Sequence, residues 1–212
     1  MKEKQVVSYD MFIGKLDMGG IPIKRHQLIS LFLYKNTLIN LSAIREPILV
    51  YKKHILDSIK LLDILKVDNL KVCDLWTWGG FPLLPLATIC KGADFLWVDS
   101  VKKKLLAIQD IANSIWLDNI KVYHSRIEGL DRYVYPYDIY LARAVGYIDK
   151  LFNWTKNILK KWNKLVLYKL YTEQEYYDMM SLVSSYHLSL SDELHYDLWD
   201  EVKRVIYILE KY

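Results

Sequence analysis

The pattern of apolar and polar positions changes once along the chain, near Asn69. Before that point apolar side chains recur at helical spacing. Leu28, Ile29, Leu31, Phe32 and Leu33 mark a buried face and predict a helix over 23–38. Residues 36–47 mix polar and apolar positions and read as a connector. Pro47 then opens a second helix, since a proline in the first turn gives up an N–H that has no helical partner there. Ile48, Val50, Tyr51, Ile55, Ile59 and Leu62 form its apolar stripe; Lys52, Lys53, His54 and Asp57 form its polar side. Beyond Asn69, short apolar runs alternate with helical segments, as in a parallel sheet covered by helices on both faces. Strands are expected at 71–75, 94–98, 120–124, 137–141 and 164–169, and helices at 82–90, 101–115 and 148–159. From Thr172 onward the pattern gives one more helix and two strands, the last over 202–209. The expected architecture is α/β and Rossmann-like: a helical N-terminal extension over 1–68, then a mostly parallel seven-stranded sheet with helices on both faces over 69–212.

The stretch Val72-Cys73-Asp74-Leu75-Trp76-Thr77-Trp78-Gly79-Gly80-Phe81-Pro82 holds the first strand, its loop and the start of the next helix. A strand that feeds a tight loop and a helix N-terminus is where doubly wound α/β folds hold ligands. Such a loop is expected to be glycine-rich, so that backbone can approach the ligand and take up positive φ. Here Trp76 and Trp78 stand at two of the positions where glycine is expected. Strand two ends in Asp99-Ser100, some 25 residues beyond Asp74, where a carboxylate hydrogen-bonds a ribose in these folds. The two features together imply an adenosine-containing cofactor without choosing which. The loop lacks the G-x-G-x-x-G spacing of a dinucleotide site, which argues against a dehydrogenase.

Composition narrows the class further. Half of the 212 residues are apolar and a quarter charged, as in ordinary globular proteins. The longest apolar run, 83–90, is far too short for a bilayer, and the first residues lack a signal-peptide core, so no membrane association is expected. Cys73 and Cys90 fall on a predicted strand and helix and read as buried reduced thiols, with no metal site, which fits a cytoplasmic protein. The net charge of +4 is compatible with an anionic partner. Lysine supplies 23 of the 29 cationic side chains, which suggests AT-rich coding DNA. Tryptophan (7) nearly equals glycine (8), an odd balance for a fold that needs tight turns.

Read with glycine at 76 and 78, the loop becomes Asp-Leu-Gly-Thr-Gly-Gly-Gly, which resembles the first motif of class I S-adenosylmethionine-dependent methyltransferases. A closer resemblance rests on segments that occur in order: Asn40-Leu41-Ser42-Ala43-Ile44-Arg45, His54-Ile55-Leu56-Asp57-Ser58, the loop through Phe81-Pro82, Val98-Asp99-Ser100, Ser125-Arg126-Ile127-Glu128 and Ala142-Arg143-Ala144-Val145. Over about residues 25–210 the chain is similar to the small-subunit (16S) ribosomal RNA guanine-N7 methyltransferases, also called the glucose-inhibited division protein B family. The resemblance implies that S-adenosylmethionine rests on Asp74, Trp76, Thr77, Trp78, Gly79, Gly80 and Phe81. Asp99 and Ser100 would lie at its ribose and Ile127 and Glu128 at its adenine. Arg143, at the methyl-transfer end, is the candidate catalytic residue. Arg45, His54, Arg126 and Lys169 would face the RNA. Taken alone, His54 reads as a surface histidine and Phe81 as a core aromatic. The run Lys102–Lys104 reads equally as a solvated face or an RNA contact. The implied partner is small-subunit ribosomal RNA, or the assembling subunit, and the implied state a monomer.

The chain departs from the family pattern at Trp76, Trp78 and Leu83, each in place of glycine, and at Leu170 after Lys169. Two explanations compete for the tryptophans. Genuine indoles would block the cofactor loop and leave a catalytically inactive RNA-binding relative. Alternatively the codons are UGA, read as glycine in the cell and written as tryptophan here. The second explanation predicts tryptophan at other glycine turns, and Trp116 and Trp162 occupy such positions, with Trp97 and Trp199 as additional cases. Trp154 reads as a true helix tryptophan. The absence of an obvious nucleophile or acid–base pair is no obstacle to the implied reaction, because guanine N7 carries a lone pair and no proton.

Overall fold

The computed structural model describes residues 25–76, 79–130, 136–143 and 148–212. The expected structure over 1–24, and the loop residues Thr77 and Trp78, lie outside the described residues. The chain opens with helix α1 (Arg25–Leu38) and a connector, followed by a continuous helical segment. That segment runs through α2 (Pro47–Val50), a π-helical turn (Tyr51–Leu56), α3 (Asp57–Ile59) and a 3₁₀ turn (Lys60–Asp63). The alternating part follows as β1 (Lys71–Trp76), α4 (Leu83–Ile89), β2 (Asp94–Asp99), α5 (Lys102–Ser114), β3 (Ile120–His124), β4 (Ile139–Arg143), α6 (Ile148–Thr155) and β5 (Lys164–Leu170). It closes with α7 (Glu173–Val183), β6 (Leu188–Tyr196) and β7 (Arg204–Lys211).

The seven strands form one sheet in the order β3-β2-β1-β4-β5-β7-β6. Strands β1 to β5 are parallel to one another, and β7 runs antiparallel between β5 and β6. The chain works outward from β1 to β3, then returns to place β4 on the other side of β1. Such a reversal opens a crevice at the carboxyl ends of the two central strands. Between Asp74 and Trp76 the register of β1 against β4 slips, so β1 reaches the crevice through a local bulge.

Alternation along each strand sends side chains to two cores. Val72, Phe95, Trp97 and Val166 join a cluster that includes Leu28 and Phe32 of α1, Leu84 of α4 and Ile108 of α5. Cys73, Leu75, Leu96, Leu165 and Leu167 join the opposite cluster with Phe152 of α6 and Met179 of α7. Helix α1 thus packs into the same apolar layer as the sheet. Both cysteines are buried free thiols. No helix among the described residues is long and apolar enough to cross a membrane.

Several elements differ from the sequence-based expectation; α6 stops at Thr155 rather than at 159, and β7 spans Arg204–Lys211 rather than 202–209. The second helix is irregular, and its supposed polar side includes two buried groups, His54 and Asp57, because both find polar partners inside. Strand four lies two residues later than expected, at Ile139–Arg143, so Arg143 itself ends the strand. Pro82 sits at the N-cap of α4 and the helix begins at Leu83.

Candidate active site at the carboxyl edge of the sheet

At the end of β1 the backbone turns through Gly79 (φ +68) and Gly80 (φ +95), values that L side chains rarely adopt. The space is also closed to a side chain. A Cβ on Gly79 would meet Leu41 O at 3.0 Å, and one on Gly80 would meet Leu84 Cδ1 at 2.6 Å. At Gly79 and Gly80 the turn therefore has room for little beyond main chain. Asp74 is fully buried within β1. The Phe81 side chain enters the core, stacked on the His54 ring at 4.6 Å and edge-on to Phe32, so Phe81 can meet a ligand through backbone alone.

Beside the loop, at the ends of β1, β2 and β3, lies a cavity of about 380 Å³. Asp99, Ser100, Arg126, Ile127 and Glu128 line it, as the resemblance implied for four of them; Arg126 was expected at the RNA. Lys104 on α5, whose run was read as a solvated face or an RNA contact, also lines it, as do Val101, Ser125 and Trp154 of α6, none of them assigned to the cofactor from the sequence. Leu75 and Val98 give the cavity an apolar floor. One oxygen of Asp99 accepts from the Val101 N–H at 2.8 Å, which fixes the carboxylate at the rim. The set fits a nucleoside: a carboxylate for ribose hydroxyls, apolar walls for a base, and a volume within the ordinary range for small-molecule pockets. The residues present therefore fit the adenosine part of S-adenosylmethionine, with the main chain of 79–80 at the loop beside it.

The second half of the site is polar and assembled from distant segments. Asn36, buried at the end of α1, spends its amide on the connector: it accepts from the N–H groups of Leu41 and Ser42 and donates to the carbonyls of Ser42 and Ile44. The fixed connector presents Ser42 Oγ to His54 Nε2 at 2.9 Å. Arg143 Nη1 lies 3.3 Å from His54 Nδ1. A guanidinium can only donate, so Nδ1 is the acceptor and the ring proton sits on Nε2, donated to Ser42. Burial, with the Arg143 charge adding to it, pushes the His54 pKa down to about 3, so the ring is neutral at physiological pH. Arg143 Nη2 also donates to Lys53 O and pairs with Asp57 Oδ2 at 2.8 Å. Asp57 Oδ1 accepts from the Tyr196 hydroxyl at 2.9 Å and faces Arg204 Nε at 3.5 Å. Arg204 in turn forks onto both oxygens of Asp200, holding that carboxyl far below its ordinary range.

The structure thus brings His54 and Arg143 together and leaves the other expected RNA-facing residues apart. Arg45 is tied to the connector through Ser42 O and Asn40 Oδ1. Lys169 is paired with Glu175 of α7. Sequence reasoning missed Ser42, Tyr196, Asp200 and Arg204 as members of this cluster. Asp57 was visible within the segment 54–58 but carried no assigned role.

A parallel sheet with a reversed strand wedged before its last edge, a glycine turn after β1 and a carboxylate after β2 define a class I methyltransferase domain. A SAM-dependent methyltransferase from Aquifex aeolicus has this fold, with a TM-score of 0.59 and 14% identity over 76% of this chain and 93% of that one. A family profile described as rRNA small subunit methyltransferase G (GidB) matches residues 24–193. A ribosomal RNA small subunit methyltransferase G from Mesoplasma florum is 33% identical over 74% of this chain and 67% of that relative. One from Acetivibrio thermocellus is 26% identical over 100% of this chain and 92% of that relative. The chain belongs to the GidB family of small-subunit ribosomal RNA methyltransferases, and its cofactor is S-adenosylmethionine.

Proposed function

We propose that this protein transfers a methyl group from S-adenosylmethionine to N7 of a guanine in small-subunit ribosomal RNA, in the cytoplasm and as a monomer. The observation that carries this reading is a cavity of nucleoside size at the ends of β1 to β3 with a fixed arginine, Arg143, at the same end of the neighbouring strand β4. Bound there, S-adenosylmethionine supplies an electrophilic sulfonium methyl. Guanine N7 needs no general base, so the chain's task is to hold the base in line at near-contact distance and to exclude water. Neutral His54 takes no proton. It braces the Arg143 guanidinium beside Ser42. Arg126 and Lys104 at the cavity supply positive charge for phosphates, whereas Lys53 beside Arg143 is paired with Asp200 at 3.4 Å. The test is transfer from labelled S-adenosylmethionine to small-subunit RNA of cells lacking the gene, followed by nucleoside digestion. The expected product is N7-methylguanosine, with Arg143→Ala lowering the rate at least 100-fold by loss of alignment (about that size for misplaced groups). Label in any other nucleoside overturns the reading.

We further propose that Trp76, Trp78, Trp116, Trp162 and Trp199 are UGA codons read as glycine in the native protein. Supporting this, Trp116 (φ +58), Trp162 (φ +73) and Trp199 (φ +59) all sit in the left-handed region that favours glycine, and all are exposed. Trp97 differs: it is fully buried in the core and its Nε1 has no partner among the described residues. Mass spectrometry of peptides from the native source checks the proposal, glycine masses being expected at these five positions and tryptophan masses overturning it. By calorimetry, S-adenosylmethionine is expected to bind the Trp76→Gly/Trp78→Gly chain and not the chain with indoles.

A further inference from the structure

Asp57 is too deeply placed to serve as a surface charge: it is 4% exposed, and a buried carboxylate is costly unless well paired. Its partners come from three other parts of the chain, Arg143 on β4, Tyr196 on β6 and Arg204 on β7. The backbone beneath it is also unusual. In a regular α-helix the Asp57 N–H would bond to Lys53 O; in the π-helical turn it reaches Lys52 O and His54 O instead. Lys53 O accepts from Arg143 Nη2, and the same nitrogen lies 2.8 Å from Asp57 Oδ2. Nη1 is met by His54. One helical segment therefore grips the guanidinium at three points, Lys53 O, His54 Nδ1 and Asp57 Oδ2.

The grip has a chemical consequence. An arginine that forks onto guanine takes O6 and N7 together. Such a fork would occupy the lone pair that must receive the methyl. A guanidinium can fork end-on through Nη1 and Nη2 or side-on through Nε and Nη2, and both require Nη2. Here Nη2 is held between Lys53 O and Asp57. We propose that Asp57, with the π turn that carries it, is a positioning residue that restricts Arg143 to single-donor contact with the guanine, so that O6 can be bonded while N7 stays open. This inference rests on the reading of the protein as a guanine-N7 methyltransferase.

The test uses the full chain carrying glycine at 76 and 78, with Asp57→Asn, Arg143→Lys, their combination, and Tyr196→Phe, which keeps both charges and removes a single hydroxyl. Asp57→Asn is expected to lower kcat about 100-fold while KM for S-adenosylmethionine stays within twofold. The double variant is expected to lose no more than Arg143→Lys alone, since Asp57 acts through Arg143, and Tyr196→Phe to lose several-fold in kcat. Independently of methylation, nitrogen NMR is expected to show separate Arg143 Nη signals in the parent, from hindered rotation, merging in Asp57→Asn. Unchanged kcat in Asp57→Asn and Tyr196→Phe, losses that multiply in the double variant, or Nη signals insensitive to Asp57 each overturn the proposal. A parent that shows the restrained Nη signals, loses them in Asp57→Asn and yet makes no N7-methylguanosine overturns the enzymatic reading and leaves the grip standing.

Discussion

Trp116, Trp162 and Trp199 carry the largest side chain in the conformation least suited to it. In each the backbone is left-handed, which costs an L residue about 1–2 kcal/mol relative to its right-handed state. At 82%, 66% and 74% exposure, the indoles recover little of that by burial. Each Trp→Gly change is therefore expected to raise stability by about 1 kcal/mol, read as a higher urea midpoint at unchanged slope. Trp154→Gly, inside α6, should lower it. Two of these positions were legible in the sequence because a helix end (115–117) and a turn before a strand (160–164) need a reversal whatever residue occupies them. Asn69 and His187 take up positive φ as well, and nothing in their neighbours announced it. The two tryptophans that bear most on catalysis, Trp76 and Trp78, were flagged by the strand-loop-helix motif itself.

Among elements, the strands were easiest to read, because buried parallel strands are short apolar runs and β3 fell at its expected bounds. Of the polar side read for the helical segment over 47–63, Lys52 and Lys53 are half-buried whereas His54 and Asp57 are buried. At i+4 and i+7 from Val50, His54 and Asp57 fall beside the apolar stripe, but spacing cannot reveal their partners 89 and 139 residues away, Arg143 and Tyr196. The connector between α1 and α2 was recognised as a loop, yet its rigidity comes from the four hydrogen bonds of a single amide, Asn36. Replacing Asn36 with alanine leaves those connector groups unpaired in a buried place. At roughly 1 kcal/mol for each bond, the loss is about 2–4 kcal/mol, measurable by urea unfolding. Because Ser42 rides on this connector, faster hydrogen exchange is expected at Leu41, Ser42 and Ile44 in the same variant.

For the molecule as a whole, the polar cluster couples stability to acidity. His54 has a pKa of about 3 when folded, against 6.5 for the free side chain. Between those values the unfolded chain binds a proton that the folded chain refuses, so stability rises with pH across the window and is lost as pH falls from about 6.5 toward 3. The slope from this one group reaches about 1.4 kcal/mol per pH unit. His54→Gln, which keeps a donor and an acceptor without titrating, is expected to flatten the pH dependence of the urea midpoint between pH 6 and 4. The fold class was legible as a whole because alternation of strands and helices encodes it. The cluster was not, because the residues that build it are scattered across α1, the connector, the π turn, β4, β6 and β7.

The wedged position of β7 has a consequence during synthesis. Chains emerge from the ribosome amino end first, so β5 waits with Leu165, Val166 and Leu167 along an open flank until Arg204–Lys211 has been made. The strand that seals this flank also delivers Arg204 to Asp57. One late strand thus completes both the sheet beside β5 and the polar cluster around Asp57.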